Sequence, residues 1–135
     1  MGRGDGMSEK QFQSTAPTFL VDDVTAAAEY YRDVLGFRYE RLWGEPPSFC
    51  MAKRDGVVIM LKQTEQPGDK RPNQTILEGM WDAYIWVANV EALLAEFQEK
   101  GAKIRRGPED TFYGCREIDV EDCNGYLLCF GQDIE

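Results

Sequence analysis

The chain contains no histidine. That removes the side chain whose ordinary pKa lies nearest neutrality, the usual general acid–base group and a common nitrogen ligand for catalytic metals. Long apolar runs are also missing: none approaches the ~18 residues of a membrane span. Met1 to Lys10 is polar and Gly-rich, without the apolar segment of a secretory signal. Basic residues are scarce, 15 against 24 acidic ones, for a formal charge of −9. Nucleic acid and anionic membranes both need basic surface, so neither is the expected partner. The four cysteines, Cys50, Cys115, Cys123 and Cys129, show no CxxC spacing. With no export signal, reduced thiols in a cytoplasmic protein are the expectation. Arg3-Gly4-Asp5 then reads as a chance match in a loose tail, and Met7 marks the residues before it as dispensable.

What is present suffices for one domain: 135 residues, 43% hydrophobic and 12% aromatic. The same pattern also occurs twice. Val21-Asp22-Asp23-Val24 leads into a helical pattern to Tyr31 and then Gly36; Val87-Ala88-Asn89-Val90 leads into a matching pattern to Phe97 and then Gly101. The two copies lie about 66 positions apart, and such self-similarity marks a duplicated structural unit.

Each copy resolves into elements. Ala16–Val21 is a strand, and Asp22 or Asp23 caps the helix whose apolar face is Val24, Ala27, Ala28 and Tyr31. Strand-like segments follow at Phe37–Trp43, Ser48–Lys53 and Val57–Lys62, separated by Glu45-Pro46-Pro47 and Arg54-Asp55-Gly56. In the second copy Asp82–Val87 is a strand, and Val90, Leu93, Leu94 and Phe97 form the helical face. Strands follow at Ala102–Arg106, Cys115–Val120 and Tyr126–Phe130, with Asn124-Gly125 as a hairpin turn. The expected organisation is a flexible tail over 1–14, a βαβββ module over 15–65, a linker over 66–80 with its polar part at Gln66–Gln74, and a second βαβββ module over 81–135. Together they make one α+β domain, a curved mixed sheet around a cleft.

Strand alternation assigns the faces. Phe19, Val21, Ile59, Leu61, Ile85, Val87, Leu128 and Phe130 are uniformly apolar and belong beneath the helices. Ala16, Thr18, Leu20, Val58, Met60, Asp82, Tyr84, Trp86, Leu127 and Cys129 line the opposite face, which is mixed in polarity and rich in aromatics, as a pocket lining should be.

The paired modules, with Val-Asp-Asp-Val, Tyr-Tyr-Arg-Asp-Val-Leu-Gly-Phe and the late Tyr-Gly-Cys-Arg-Glu…Asp-Cys-Asn-Gly-Tyr-Leu-Leu-Cys-Phe, resemble the vicinal oxygen chelate superfamily of glyoxalases, bleomycin-resistance proteins and extradiol dioxygenases. The similarity runs from about Ala16 to Gln132, and Gly114-Cys115-Arg116-Glu117 with the last strand looks most like the bleomycin-resistance branch. The resemblance implies the paired-module fold, a homodimer with clefts built by both subunits, and, in the enzymes, a divalent metal held by one side chain from each of four strands. Those positions carry over to Ala16, Met60, Asp82 and Cys129. Alanine offers no donor and a thioether suits hard divalent ions poorly, so no metal and no other cofactor is expected here. Without it the Lewis-acid chemistry of those enzymes has no support in the sequence.

The expected function is therefore metal-independent binding of a small aromatic or cationic molecule, such as an antibiotic. The candidate ligand-binding residues are Trp43, Phe49, Met60, Asp82, Tyr84, Trp86, Phe112, Tyr113, Arg116 and Cys129, with Trp81 beside them. Aromatic faces stack on planar rings and attract cations. Arg116 either anchors an acidic ligand group or pairs with Glu117 or another carboxylate. Acidic pairs such as Asp22/Asp23, Glu109/Asp110 and Glu121/Asp122 read as solvated caps and turns, and Cys129 as a small apolar wall residue. An enzyme of the same fold, a lyase, isomerase or dioxygenase with an atypical or metal-free site, is the alternative. A regulatory module with a protein partner is the third reading.

Overall fold

The computed structural model describes residues 10–135; the tail expectation for residues 1–9, with Arg3-Gly4-Asp5 and Met7, lies outside them. The first module consists of β1 (Thr18–Val21), α1 (Val24–Asp33), β2 (Leu42–Trp43), β3 (Phe49–Arg54) and β4 (Val57–Gln63). The second consists of β5 (Ala83–Trp86), α2 (Val90–Glu99), β6 (Lys103–Asp110), β7 (Cys115–Glu121) and β8 (Leu127–Asp133). Each forms a four-stranded mixed sheet of the same order, β1-β4-β3-β2 and β5-β8-β7-β6, with the edge strands β1 and β5 parallel to their neighbours and the other pairs antiparallel.

The duplication extends to single hydrogen bonds. Asp23 caps α1 by accepting from the Ala26 amide at 3.1 Å, and Asn89 caps α2 by accepting from the Ala92 amide at 3.0 Å. The Gln63 side-chain oxygen takes the Val24 amide at 2.8 Å, and that of Gln132 takes the Val90 amide at 2.9 Å. These bonds satisfy first-turn donors that a helix cannot pair internally. Gly36 and Gly101 follow the two helices at φ +77° and +80°, a conformation that side-chain-bearing residues resist. Asp22, the other candidate cap, instead accepts from the Gly68 amide at 3.0 Å and pairs with Lys70 at 3.4 Å, tying down the start of the linker.

The helix-facing sides of both sheets merge into one core. Phe19, Val21, Ile59, Leu61, Ile85, Leu128 and Phe130 are buried in it as alternation requires, and Val87 packs partly buried against it. Between the modules, the Phe19 and Tyr126 rings stack 4.4 Å apart. The fully buried Tyr31 donates its hydroxyl to Asp122 at 2.6 Å. Arg54 of β3 makes a bidentate pair with Glu96 of α2 at 2.8 and 2.9 Å. The faces opposite the helices look outward: Thr18, Leu20, Lys62 and Trp86 are exposed on them.

Three elements differ from the sequence pattern. Of the predicted strand 37–43 only Leu42–Trp43 joins the ladder, with one isolated bridge from Arg38 to Lys53. β6 runs on past Arg106 to Asp110 because it accommodates Gly107-Pro108 through register shifts, which alternation cannot anticipate. The linker carries a 3₁₀ turn at Asn73–Thr75. The four cysteines are free, with Cys123 the exposed one. No helix among the described residues is long and apolar enough to cross a membrane.

Candidate functional site

The open face of the second sheet places charged and aromatic groups in register. Tyr84 of β5 stands beside Cys129 of β8, Cys129 beside Asp119 of β7, and Asp119 beside Arg106 of β6. Glu117, two residues before Asp119 on β7, shares this face. Both carboxylates are buried, Glu117 at 0% and Asp119 at 4% exposure. One guanidinium serves them both: Arg106 lies 2.6 Å from Glu117 and 2.8 Å from Asp119, and a further 2.8 Å contact reaches Glu109. Tyr84 and Tyr113 donate their hydroxyls to Glu117 Oε2, the first at 2.8 Å, and the Trp81 indole N–H donates to Asp119 at 3.1 Å.

The resulting pKa directions follow from this geometry. Burial pushes the Glu117 carboxyl up, but the donors Tyr113, Arg106 and Tyr84 together outweigh it and hold it below the ordinary glutamate value. The hydrogen bond to Glu117 raises the Tyr113 phenol to about 12. Burial, with Asp119 and Glu117 nearby, pushes the Cys129 thiol well up, away from the thiolate that a nucleophile requires.

Above the carboxylates lies an aromatic shelf. Trp81 meets Tyr84 edge-on with centroids 5.1 Å apart, and Tyr84 meets Trp86 at 4.8 Å. Trp86 is 64% exposed, and Phe112, in the β6–β7 loop, is 98% exposed with its ring 5.1 Å from Tyr113. Trp81, Arg106, Phe112, Tyr113, Glu117 and Asp119 line a cavity of about 470 Å³. Two carboxylates at the base against one guanidinium leave negative charge under rings whose faces are themselves negative, an arrangement that favours a cation.

The remaining sequence-nominated residues sit elsewhere in the monomer. Trp43 lines a different cavity, of about 830 Å³, under the guanidinium of Arg41. Phe49 and Met60 lie on the open face of the first sheet, Phe49 beside Trp43 and Met60 beside Thr18. Trp86 also borders a third cavity, of about 410 Å³, between the modules. Arg116 lies on the helix side of β7, paired with Asp110 at 2.7 Å and Glu91 of α2 at 3.7 Å. Arg106 is the guanidinium that faces the site. The sequence reading missed Arg106, Glu117 and Asp119, although the alternation Glu117-Ile118-Asp119-Val120-Glu121 puts three acids on one face.

The four positions equivalent to the metal ligands of related folds make a poor donor set. Ala16 has none. Asp82 gives one oxygen to the Asn73 amide at 2.9 Å and the other to the Leu127 amide at 2.8 Å, so it stitches linker to sheet. Met60 offers a thioether, and Cys129 a thiol whose ionisation is opposed by burial. This set does not fit a divalent ion.

Two tandem βαβββ modules, each a mixed sheet of the same strand order backed by one helix, define the vicinal oxygen chelate fold. Residues 13–130 match the Glyoxalase/Bleomycin resistance protein/Dioxygenase superfamily, and the chain belongs to that family. Solved structures share the fold at low identity. TioX from Micromonospora sp. ML1 is 20% identical, with a TM-score of 0.71 over 90% of this chain and 99% of that one. The bleomycin-binding protein of Streptomyces verticillus, solved with copper(II)-bleomycin, is 22% identical, with a TM-score of 0.67 over 90% and 96%. An antibiotic-binding protein from Streptomyces sp. CB03234 is 20% identical, with a TM-score of 0.66 over 92% and 99%. No curated protein matches by sequence.

Proposed function

We propose that this protein binds a planar, cationic small molecule, of the kind represented by antibiotics, without a metal and without chemical turnover. The observation that carries the reading is the pair of buried carboxylates, Glu117 and Asp119, sharing one guanidinium beneath Trp81, Tyr84 and Trp86. Stacking supplies the affinity for a flat ring system and the excess negative charge selects for a cation. The antibiotic-binding proteins of the same fold support this assignment.

The working form is a homodimer. Within one chain the open face of each sheet is uncovered, with Leu20, Trp43 and Trp86 exposed. The first face carries Leu20, Met60 and Lys62, apolar and cationic; the second carries the aromatic shelf and acids. Laying the first face of one copy over the second of another closes two equivalent clefts and buries apolar surface that a monomer leaves in water.

Isothermal titration against bleomycin and a panel of planar cationic antibiotics, in buffer free of divalent metals, tests the binding. Saturable heat with quenching of tryptophan fluorescence is expected; no response across the panel refutes it. Light scattering should give twice the chain mass. A stoichiometric divalent ion in protein purified without chelators would overturn the metal-free reading.

A further inference from the structure

The 830 Å³ cavity lies over the Gly36–Trp43 segment and β3, away from the buried carboxylates, and its charge is of the opposite sign. Arg38, Arg41 and Lys53 line it together with Tyr39, Trp43 and Met51. Among the described residues none of these three cations makes an ion pair, whereas every cation of the second module, namely Lys100, Lys103, Arg105, Arg106 and Arg116, is paired. In a chain with a formal charge of −9, unmatched cations gathered in one groove are unexpected on composition alone.

The backbone forces two of them together. Arg38 and Lys53 exchange both main-chain hydrogen bonds, at 2.9 and 2.8 Å. Residues paired in this way project their side chains to the same side, and like charges directly opposite each other are destabilising. Arg41 is held separately, its guanidinium stacked 3.7 Å from the centre of the Trp43 ring, which leaves its edge N–H donors free. Of the carboxylates in the wall, Glu96 is already committed to Arg54 and lies 3.9 Å from Lys100. Glu40 and Asp55 make no ion pair with these cations within 4.0 Å, so the groove keeps a positive excess.

We infer that this groove is a second ligand site, for an aromatic phosphate monoester: Arg38, Lys53 and Arg41 take the phosphate, and Trp43 and Tyr39 flank the ring. A dianion relieves the repulsion between Arg38 and Lys53, and a planar fork of guanidinium donors matches phosphate oxygens. Three free cations suit a dianion better than a carboxylate, and the aromatic lining suits a ring better than a free inorganic ion. The site goes beyond the cation-binding face of the second module and uses none of its residues.

Titration of the full chain with adenosine monophosphate, followed by calorimetry and by the Trp43 indole resonance, tests it, with adenosine and inorganic phosphate as separate arms. The monophosphate should bind at least tenfold more tightly than either, with affinity falling as salt rises. Lys53→Glu and Arg41→Ala should each weaken it at least tenfold without lowering the urea midpoint of the protein. Absence of monophosphate binding, equal affinity for adenosine, or equal affinity for inorganic phosphate would overturn the inference. If bleomycin binds while the monophosphate does not, only this second site is refuted. If the monophosphate binds and bleomycin does not, the second site stands and the cation-binding reading falls.

Discussion

Tyr84 lies against the backbone of Gly131 so closely that a methyl group at Gly131 would collide with the phenol oxygen. That contact aims the hydroxyl at Glu117, 2.8 Å away, and turns the ring into the middle of the aromatic shelf. A strand position with no side chain is thus what lets a tyrosine lie flat across the sheet.

Gly131→Ala should therefore expel Tyr84. Leaving the buried Glu117 short of a donor costs about 1–3 kcal/mol. Urea unfolding should show the loss, and Tyr84→Phe should reproduce part of it without the steric component.

Removing Arg106 strands two buried carboxylates. Breaking a buried ion pair from one side costs about 3–5 kcal/mol, and because the Arg106 side chain is 30% exposed the lower end is expected. Arg106→Met keeps most of the apolar stem, so the measured loss reports the charge. Arg116→Met, whose partners Asp110 and Glu91 are exposed, should cost less than about 1 kcal/mol.

The acid side of the stability profile should depend on Glu117. Its folded pKa is below the ordinary 4.5, so its contribution is complete above that value and is lost as pH falls through the folded pKa. Asp122 has the opposite sign: burial raises its pKa, so its ionised form costs stability and protonation on acidification relieves that cost. Urea midpoints measured between neutral pH and pH ~3 should fall less steeply for Glu117→Gln than for the unmodified chain.

Gln63→Ala and Gln132→Ala should each destabilise by about 1 kcal/mol, the usual cost of a lost N-terminal cap contact. Gln63 also donates to the Asp22 carbonyl, so its loss should be the larger of the two, and their separation in the fold predicts that the losses add in the double variant.

Much of this arrangement is legible in the chain before folding. The duplication, both helices with their apolar faces, the core set and the hairpin at Asn124-Gly125 follow from periodicity and turn chemistry, which are local properties. What escapes is set by tertiary contact. Asp82 reads as a cleft carboxylate until the Asn73 and Leu127 amides are seen to occupy it. Arg116 and Arg106 are indistinguishable in sequence. Alternation along β7 leaves the first on the helix side, but only the register shifts in β6 put the second against Asp119. Burial of Glu117 depends on donors from β5, β6 and the β6–β7 loop, which no local pattern brings together.

The aromatic shelf over the buried carboxylates is the proposed seat of a planar cation. Trp86 is 64% exposed, so Trp86→Ala removes shelf surface with little effect on the core. Calorimetric titration of bleomycin in metal-free buffer into the unmodified chain and into Trp86→Ala is the most direct measurement. The structure predicts saturable binding to the first and at least tenfold weaker binding to the second, with unchanged urea midpoints. No binding to the unmodified chain, or equal affinity in both, would contradict it.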